Sequence, residues 1–438
     1  MVLRPLTAAF RARRHTNFQR KNQAMINDRS PLLYPLRDLS YNFLGFRFEN
    51  PFILAAAPST DNLDMLRRAF AMGWGGAILK TTSVEGTRVD LAYPMMTAYS
   101  HEGTRLMGMG NIDLISEHHI DVVEKRVQTL KREFPGKFVA ASIMAGRKED
   151  WQALVRRLEE AGADLIECSF SCPQGTLGED SGKMLAQSVG ATETTARWVK
   201  EASSRVPISI KITPHVTDIV KVAQAVQSSG CDALTASNSL QALMGVDIRT
   251  FVPFPQLGGS STYSGLTGPA IKPITLRTIA EIARHVDLPI LGTGGASTWN
   301  DAVEFMAVGA GVVQFCTAVM HHGFRVIDDL RNGLSHYLDE MQFQSPADIV
   351  GKALPHLVAH DNLPRRRVRS RIDERRCIGC EVCYLACRDG GHMAITRGEG
   401  RIPQVDRDLC VGCGLCEHVC PEECISMEDV RSQKEEKK

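Results

Sequence analysis

The chain has 438 residues, of which 43% are hydrophobic and 23% charged, and its net charge is +1. This length exceeds one ordinary domain and accommodates a barrel of about 250 residues with a smaller domain. The near-neutral charge gives no support for a nucleic-acid partner, and no run of about 18 apolar residues is present that could span a bilayer. The composition is that of a globular protein without a membrane partner.

Residues 1–38 form a basic N-terminal tail. Its first 24 residues contain five arginines and one lysine but no acidic residue. A disordered tail, or a translation start at Met25, is the simpler interpretation, and an Arg-rich transit peptide is the alternative. The tail lacks the apolar stretch of a secretion signal.

Residues 39–341 alternate short apolar runs with amphipathic stretches. The predicted strands are Phe52–Ala57, Ala77–Thr81, Phe138–Met144, Leu165–Phe170, Ile208–Thr213, Ala233–Asn238, Pro289–Gly294 and Val312–Val319. The predicted helices are Leu63–Met72, Val122–Phe134, Trp151–Ala161, Thr192–Ser203, Ile219–Ser229, Pro273–His285, Trp299–Val308 and Phe324–Leu338. Eight strand–helix repeats predict an α/β fold, the (β/α)8 TIM barrel. The alternative is a doubly wound sheet, which is disfavoured because polar residues cluster at the strand ends.

Active sites of this fold lie at the C-terminal ends of the strands. Two lysines, Lys80 and Lys211, end apolar strands there. A buried lysine needs a counter-charge or an electron-rich acceptor, and a reduced flavin supplies one. The alternative is a lysine held in a structural salt bridge. Two long insertions, Ser83–Ile120 and Leu240–Lys272, are expected to be loops that shape the substrate site.

Glycines lie at the end of strand seven, in Gly292–Gly295, and a further small-residue stretch occurs at Ser264–Gly268. Glycines allow backbone N–H groups to approach phosphate oxygens, so the pattern predicts a phosphate-bearing cofactor, with tight turns as the alternative. The predicted cofactor-binding residues are Ala57, Lys80, Thr81, Lys211, Gly265, Gly294, Gly295, Cys316 and Thr317. No G-x-G-x-x-G motif follows a strand and opens a helix, which disfavours a nicotinamide-binding domain.

The last part of the chain carries two C-x2-C-x2-C-x3-C motifs separated by 22 residues. This is the spacing of two-cluster bacterial ferredoxins, in which the fourth cysteine of each run binds the other 4Fe–4S cluster. The first predicted ligand set is Cys377, Cys380, Cys383 and Cys420, and the second is Cys410, Cys413, Cys416 and Cys387. Zinc sites, the alternative, use C-x2-C pairs. Cys424 is expected to be a buried thiol, with an exchange of ligands as the alternative. Clustered thiols favour metal in a reducing, cytoplasmic compartment over disulfides.

We therefore expect a ferredoxin-like α+β domain at 372–430, joined to the barrel by a linker at 342–371 and followed by a charged tail at 431–438.

Several segments together resemble a known family. They are Asn50–Phe52, Ala163–Glu167, Ser169–Pro173, Lys211–Pro214 and the twin cysteine motif. The chain resembles the catalytic subunits of bacterial NAD-dependent dihydropyrimidine dehydrogenases from about Leu39 to Val430, and its barrel is similar to dihydroorotate dehydrogenases. The resemblance implies FMN in the barrel, two 4Fe–4S clusters, and reduction of the 5,6 double bond of uracil or thymine.

The resemblance also implies roles for individual residues. Cys172 is the expected acid that protonates the substrate, with a structural thiol as the alternative. The expected substrate-binding residues are Asn111, Ser169, Asn238 and Ser239. The family motif has asparagine where this chain has Ser169, which opens the alternative of another pyrimidine-like or conjugated amide or acid substrate.

The electron source implied by the resemblance is a separate flavoprotein that binds FAD and oxidises NAD(P)H. The resemblance also implies a homo- or hetero-oligomer, and a separate partner agrees with the lack of a dinucleotide motif in this chain. The third hypothesis, from another class, is an electron-transfer subunit without its own substrate. The long insertions and Cys172 argue against it.

Overall fold

The computed structural model of the chain describes residues 36–101, 105–171 and 184–430. These residues form two compact units, which divide between residues 357 and 358. No helix among them is long and apolar enough to cross a membrane.

The first unit contains a closed barrel of parallel strands. In chain order, its strands are β1 (Tyr41–Phe43), β2 (Phe46–Phe48), β3 (Phe52–Leu54), β4 (Gly76–Thr82), β5 (Met96–His101), β6 (Arg105–Asn111), β7 (Phe138–Ile143), β8 (Leu165–Ser169), β9 (Ile208–Lys211), β10 (Ala233–Ala236), β11 (Leu240–Ala242), β12 (Ser264–Thr267), β13 (Ile290–Thr293) and β14 (Ala310–Phe315). Around the wall the order is β3, β4, β7, β8, β9, β10, β13 and β14. The predicted (β/α)8 barrel is therefore confirmed.

Helices alternate with the barrel strands. They are Leu63–Ala71, Ile120–Glu133, Lys148–Ala161, Val189–Ala202, Ile219–Ser228, Lys272–Ala283, Trp299–Ala307, the short Thr317–His322, and Val326–Glu340. Polar side chains cap the N-termini of some of these helices. Asn62 accepts hydrogen bonds from the backbone N–H groups of Asp64 and Met65, and Thr298 forms a capping box with Asp301. Each longer helix buries one apolar stripe, and strands that are covered on both faces read as continuous apolar runs.

The predicted end of the last barrel strand is wrong. The apolar run Val312–Val319 suggested one strand, but β14 ends at Phe315 and Cys316 precedes the helix Thr317–His322. Ala318 and Val319 are buried in that helix, so hydrophobicity continues across the boundary between the two elements. A short buried helix cannot be distinguished from a strand by apolar content alone.

The N-terminal end of the barrel is closed by the hairpin β1–β2. Phe46 and Phe48 pack on Phe138 of β7, with ring centroids 5.4 and 4.8 Å apart, respectively. Tyr41 donates a hydrogen bond to the carbonyl of Gly311. Because apolar residues fill this end, the opposite end is the one that can receive polar side chains.

The two long insertions are not loops without secondary structure. They contribute β5 and β6, and β11 and β12, to one four-stranded antiparallel sheet with the order β11–β12–β6–β5. The pairing of β6 with β12 places Asn111 opposite Gly265. The two insertions, which are far apart in sequence, thereby form one sheet. Each insertion follows the C-terminal end of a barrel strand, β4 or β10.

The second unit is α+β and ferredoxin-like, as predicted. Its strands are β15 (Val368–Ile372), β16 (Ile395–Arg397), β17 (Pro403–Val405) and β18 (Ile425–Asp429), and its helices are Val382–Gly390 and Leu415–Val419. β15 pairs with β18, and β16 with β17, both antiparallel. Most of β15 falls in the segment predicted as linker, because its five-residue pairing with β18 is invisible in a local apolar pattern.

Candidate functional site

Two buried lysines lie at barrel strand ends, each beside a carboxylate. Lys80 on β4 forms an ion pair with Asp113 from the first insertion. Lys211 Nζ on β9 lies 3.5 Å from Glu167 Oε1 on β8. Burial raises the pKa of Asp113, and the ammonium of Lys80 opposes that shift. Both lysines therefore have protein counter-charges at the C-terminal end of the barrel.

Glu167 is a functional candidate that the sequence reasoning missed. It is fully buried in the barrel, and its Oε2 accepts a hydrogen bond of 3.3 Å from Gln314 Nε2 on β14. Its Oε1 accepts no hydrogen bond from the described residues, although Lys211 lies beside it. The available signal was an acidic residue inside the apolar run Leu165–Phe170.

Cys316 directly follows β14, and the charges of both lysines act on its thiol. Burial raises the pKa of its thiol, and the charges of Lys211 and Lys80 act in the opposite direction. On the same rim, Thr81 and Ser142 share a hydrogen bond of 2.9 Å between their hydroxyl oxygens. The ends of β4, β9 and β14 therefore place the predicted lysines and Cys316 in one region.

Gly294 and Gly295 take backbone conformations that favour glycine, with φ of +118° and +100°. A Cβ on Gly295 would lie 2.7 Å from the backbone nitrogen of Lys272, and one on Gly294 would lie 2.7 Å from Thr275 Oγ1. Both glycines thus abut the N-terminal turn of helix Lys272–Ala283. Bare backbone beside a helix N-terminus suits a phosphate group.

Ala57 and Thr317 are also buried at strand ends, after β3 and β14. The Ala57 N–H donates to Thr60 Oγ1 over 3.1 Å. Thr317 lies against Gly268, where an added Cβ would be 3.2 Å from its Cγ2.

Two buried hydroxyls near the predicted cofactor residues lack partners among the described protein atoms. They are Ser59 Oγ, two residues after Ala57, and Ser264 Oγ, adjacent to Gly265. Buried polar atoms normally have a partner, so a bound polar ligand would satisfy them. Together with the glycines and the buried lysines, these atoms fit a flavin bearing a phosphate.

Two of the predicted substrate residues, Asn111 and Ser239, meet at Gly265 in the inserted sheet. Asn111 Nδ2 on β6 donates to the carbonyl of Gly265 over 3.0 Å. A Cβ on Gly265 would lie 2.5 Å from Ser239 Oγ, so Ser239 contacts the same point. Asn238 Nδ2 donates to Ser171 Oγ over 2.9 Å and to its carbonyl over 3.2 Å. Amide and hydroxyl groups of this kind can recognise an imide.

Ser169 ends β8 and is buried, in register with Lys211 on β9. Cys172 lies outside the described residues. The residue before it, Ser171, is buried and held by Asn238. The last described residue of this segment is therefore anchored to one predicted substrate residue, Asn238.

The eight cysteines of the two motifs line two cavities. One cavity is lined by Cys377, Cys380, Cys383 and Cys420, together with Cys424. The second cavity is lined by Cys387, Cys410, Cys413 and Cys416. Each cavity receives three thiols from one motif and one from the other.

Within residues 36–101, 105–171 and 184–430, no three Cys, His, Asp or Glu side chains converge on a point where a single metal ion could bind. Zinc needs such convergence, whereas the thiolates of a cubane cluster bind different irons and surround a larger volume. The thiol-lined cavities thus fit iron–sulfur clusters better than zinc.

Two family models match the chain. The dihydroorotate dehydrogenase model covers residues 38–338, and the 4Fe-4S dicluster domain model covers residues 370–427. These ranges coincide with the barrel and with the cysteine-rich unit.

Curated relatives match over most of the chain. The NAD-dependent dihydropyrimidine dehydrogenase subunit PreA of Escherichia coli is 38% identical over 92% of this chain and 98% of its own length. The chloroplastic dihydropyrimidine dehydrogenase (NADP(+)) of Arabidopsis thaliana is 31% identical over 77% of this chain and 82% of its own. The catalytic subunit of dihydroorotate dehydrogenase B (NAD(+)) of Thermococcus kodakarensis is 32% identical over 72% and 98%.

Proposed function

The chain belongs to the dihydroorotate dehydrogenase family of flavin oxidoreductases acting on CH–CH bonds, and we propose that it reduces the 5,6 double bond of uracil or thymine. The observation that carries this proposal is the meeting of Asn111, Ser239 and Gly265 at the sheet built from the two insertions. Imide recognition needs donors and acceptors in pairs, and amide side chains supply both.

FMN is the proposed flavin of the barrel. Gly294 and Gly295 would face its phosphate, while Lys80 and Lys211 would face its electron-rich ring. Ala57, Thr81, Gly265, Cys316 and Thr317 complete the proposed binding residues. When bound, this group supplies the hydride for the alkene carbon. The ion pairs of both lysines hold their side chains in position before any ligand arrives.

The protein residues would orient the pyrimidine and supply a proton. Asn111, Asn238 and Ser239 are proposed to hold the imide edge, and Cys172 to donate a proton to the carbon next to the one that receives hydride. Asn238 has a second task, because its amide already holds Ser171, the residue before Cys172. Loss of Asn238 would therefore disturb both substrate binding and the placement of the acid.

Electrons are proposed to arrive through two 4Fe–4S clusters, one in each thiol-lined cavity. The proposed source is an NAD(P)H-oxidising flavoprotein subunit. Support comes from the name of the E. coli relative, which is itself a subunit and NAD-dependent. The thiolates of Cys377, Cys380, Cys383 and Cys420 would hold one cluster, and those of Cys410, Cys413, Cys416 and Cys387 would hold the other.

A second candidate keeps the chemistry and changes the substrate. Ser169, buried in register with Lys211, offers a short hydroxyl where an amide side chain would reach further. The site would then accept another pyrimidine-like or conjugated amide. Ser169→Asn discriminates, because it would increase uracil turnover only if the shorter side chain excludes uracil.

The test uses the purified full chain, reconstituted without air. Reduced viologen supplies electrons, and the consumption of uracil or thymine is followed. A protein that binds flavin and iron but consumes neither pyrimidine contradicts the substrate assignment. Cys172→Ala should abolish alkene reduction while leaving flavin reduction intact. Equal turnover in that variant contradicts the role of Cys172.

A further inference from the structure

The two cysteine-lined cavities differ by one thiol. We call the cavity lined by Cys377, Cys380, Cys383, Cys420 and Cys424 the five-thiol cavity, and the cavity lined by Cys387, Cys410, Cys413 and Cys416 the four-thiol cavity. The fifth thiol is Cys424, which the ligand sets above leave unassigned.

The four-thiol cavity has an alanine, Ala394, at the position that corresponds to Cys424. The Cys424 carbonyl accepts from the N–H of Asp373 over 2.8 Å, and the Ala394 carbonyl accepts from the N–H of Asp406 over 2.7 Å. Asp373 and Asp406 each lie four residues before the first cysteine of a motif. Internal repetition of the unit thus equates Cys424 with Ala394, and both line their respective cavities.

Cys424 lies against a predicted cluster ligand. Its Sγ is 3.5 Å from Cys420 Sγ, and both residues are buried, at 5% and 9% exposure. The geometry allows either sulfur to be the donor. A cysteine that binds iron does so as a thiolate, which has no proton and can only accept. Of this pair, only Cys424 can then donate.

We propose that the Cys424 S–H donates a hydrogen bond to the cluster-binding sulfur of Cys420 and raises the reduction potential of the cluster in the five-thiol cavity. This inference rests on the two-cluster part of the proposed function. A reduced cluster carries one more negative charge than an oxidised one. A donor directed at a ligand sulfur stabilises that charge, and such hydrogen bonds are among the determinants of cluster potentials.

The four-thiol cavity has a donor of another kind. There the backbone N–H of Ser370 points at Cys410 Sγ over 3.5 Å. The effect of Cys424 is therefore measured within its own cavity, before and after removal of the thiol, rather than by comparing one cluster with the other.

The experiment is a potentiometric titration of the full-length holoprotein, with the two cluster couples followed by electron paramagnetic resonance. In Cys424→Ala we expect one couple to become more negative and the other to stay in place. The expected change is up to tenfold in the ratio of reduced to oxidised cluster at a fixed potential, and tenfold corresponds to 59 mV for a one-electron couple. Cys424→Ser keeps a donor and should show a smaller shift.

Ala394→Cys is the matched gain-of-thiol variant. It places a thiol at the corresponding position of the four-thiol cavity and should move only the other couple, toward more positive potential. This variant also decides the question if Cys424→Ala fails to fold. An unmoved couple in either variant with full iron content overturns the proposal.

Loss of half the iron in Cys424→Ala would also overturn the proposal, because Cys424 would then be a ligand rather than a donor. Iron content of the unmodified protein separates the role of Cys424 from the two-cluster function. Fewer than about eight irons per reconstituted chain contradicts the two-cluster function itself. Eight irons with unchanged potentials contradict only the role of Cys424.

Discussion

Replacing Glu167 with glutamine leaves the buried Lys211 ammonium without its carboxylate. The side chains of Glu167 and Lys211 are 0% and 8% exposed, and the oxygen and nitrogen are 3.5 Å apart. At that separation, and with an effective dielectric constant of about 20, the attraction is about 5 kcal/mol. Breaking a buried pair from one side costs about 3–5 kcal/mol, because the remaining charge stays desolvated. Glu167→Gln should therefore destabilise the barrel by about that amount.

Tryptophan fluorescence measures this effect in the barrel alone. All four tryptophans of the chain, at positions 74, 151, 198 and 299, lie in the barrel unit. At about 2 °C per kcal/mol for a domain of this size, the melting temperature of the flavin-free protein should fall by about 6–10 °C. Adding Lys211→Met to Glu167→Gln should cost less than the sum of the two single changes, because no charge is then left buried.

The control is Glu133→Gln, which breaks an ion pair with Arg67 whose side chains are 32% and 39% exposed. Such surface pairs contribute about 0–1 kcal/mol. If the melting temperatures of the two variants fall equally, Lys211 does not depend on Glu167 and the assigned pairing is wrong.

Three further predictions follow from the barrel. Gly295→Ala should abolish flavin binding, because the added Cβ would lie 2.7 Å from the backbone nitrogen of Lys272. The control Gly259→Ala should retain flavin, because Gly259 also has a positive φ, of +90°, but open space around it. Equal flavin content in the two variants would contradict the phosphate site. Asn111→Ala should raise the KM for uracil about tenfold with a smaller change in kcat, and an unchanged KM excludes Asn111 from the substrate site. Burial opposes ionisation of Glu159, but hydrogen bonds from Ser204 and Ser203 outweigh it and lower its pKa from 4.5 to about 2. The stability that this shift contributes is present above pH 4.5 and is lost as the pH falls toward 2. In Glu159→Gln, the free energy of unfolding followed by tryptophan fluorescence should therefore decrease less steeply between these pH values. The same pH dependence in the variant and the unmodified protein would contradict this assignment.

The barrel could be predicted because its strands are apolar on both faces. The run Ala77–Leu79 is continuous and ends in Lys80, and β9 has isoleucines at 208 and 210 before Lys211; the lysines mark the functional ends of these strands. The cysteine motifs were equally predictable, since their spacing alone specifies which thiols share a cavity. These signals are local in sequence and need no knowledge of tertiary pairing.

What could not be predicted depends on long-range pairing. The sheet from the two insertions forms only because β6 meets β12, and neither strand has a strong apolar alternation of its own. Glu167 appeared to be one polar residue in a strand until closure of the barrel placed Lys211 and Gln314 beside it. The hairpin β1–β2 was missed because three-residue strands lie below the length at which a period of two is recognisable.

The sheet that joins the two insertions has a consequence for protein engineering. Asn111 and Gly265 are in contact although they are 154 positions apart in the chain. The conformation of each insertion therefore depends on its pairing with the other. A single segment grafted from a relative would lack the strand with which it pairs. Changing the substrate specificity of this enzyme therefore requires both insertions to be exchanged together, with the rest of the barrel left unchanged.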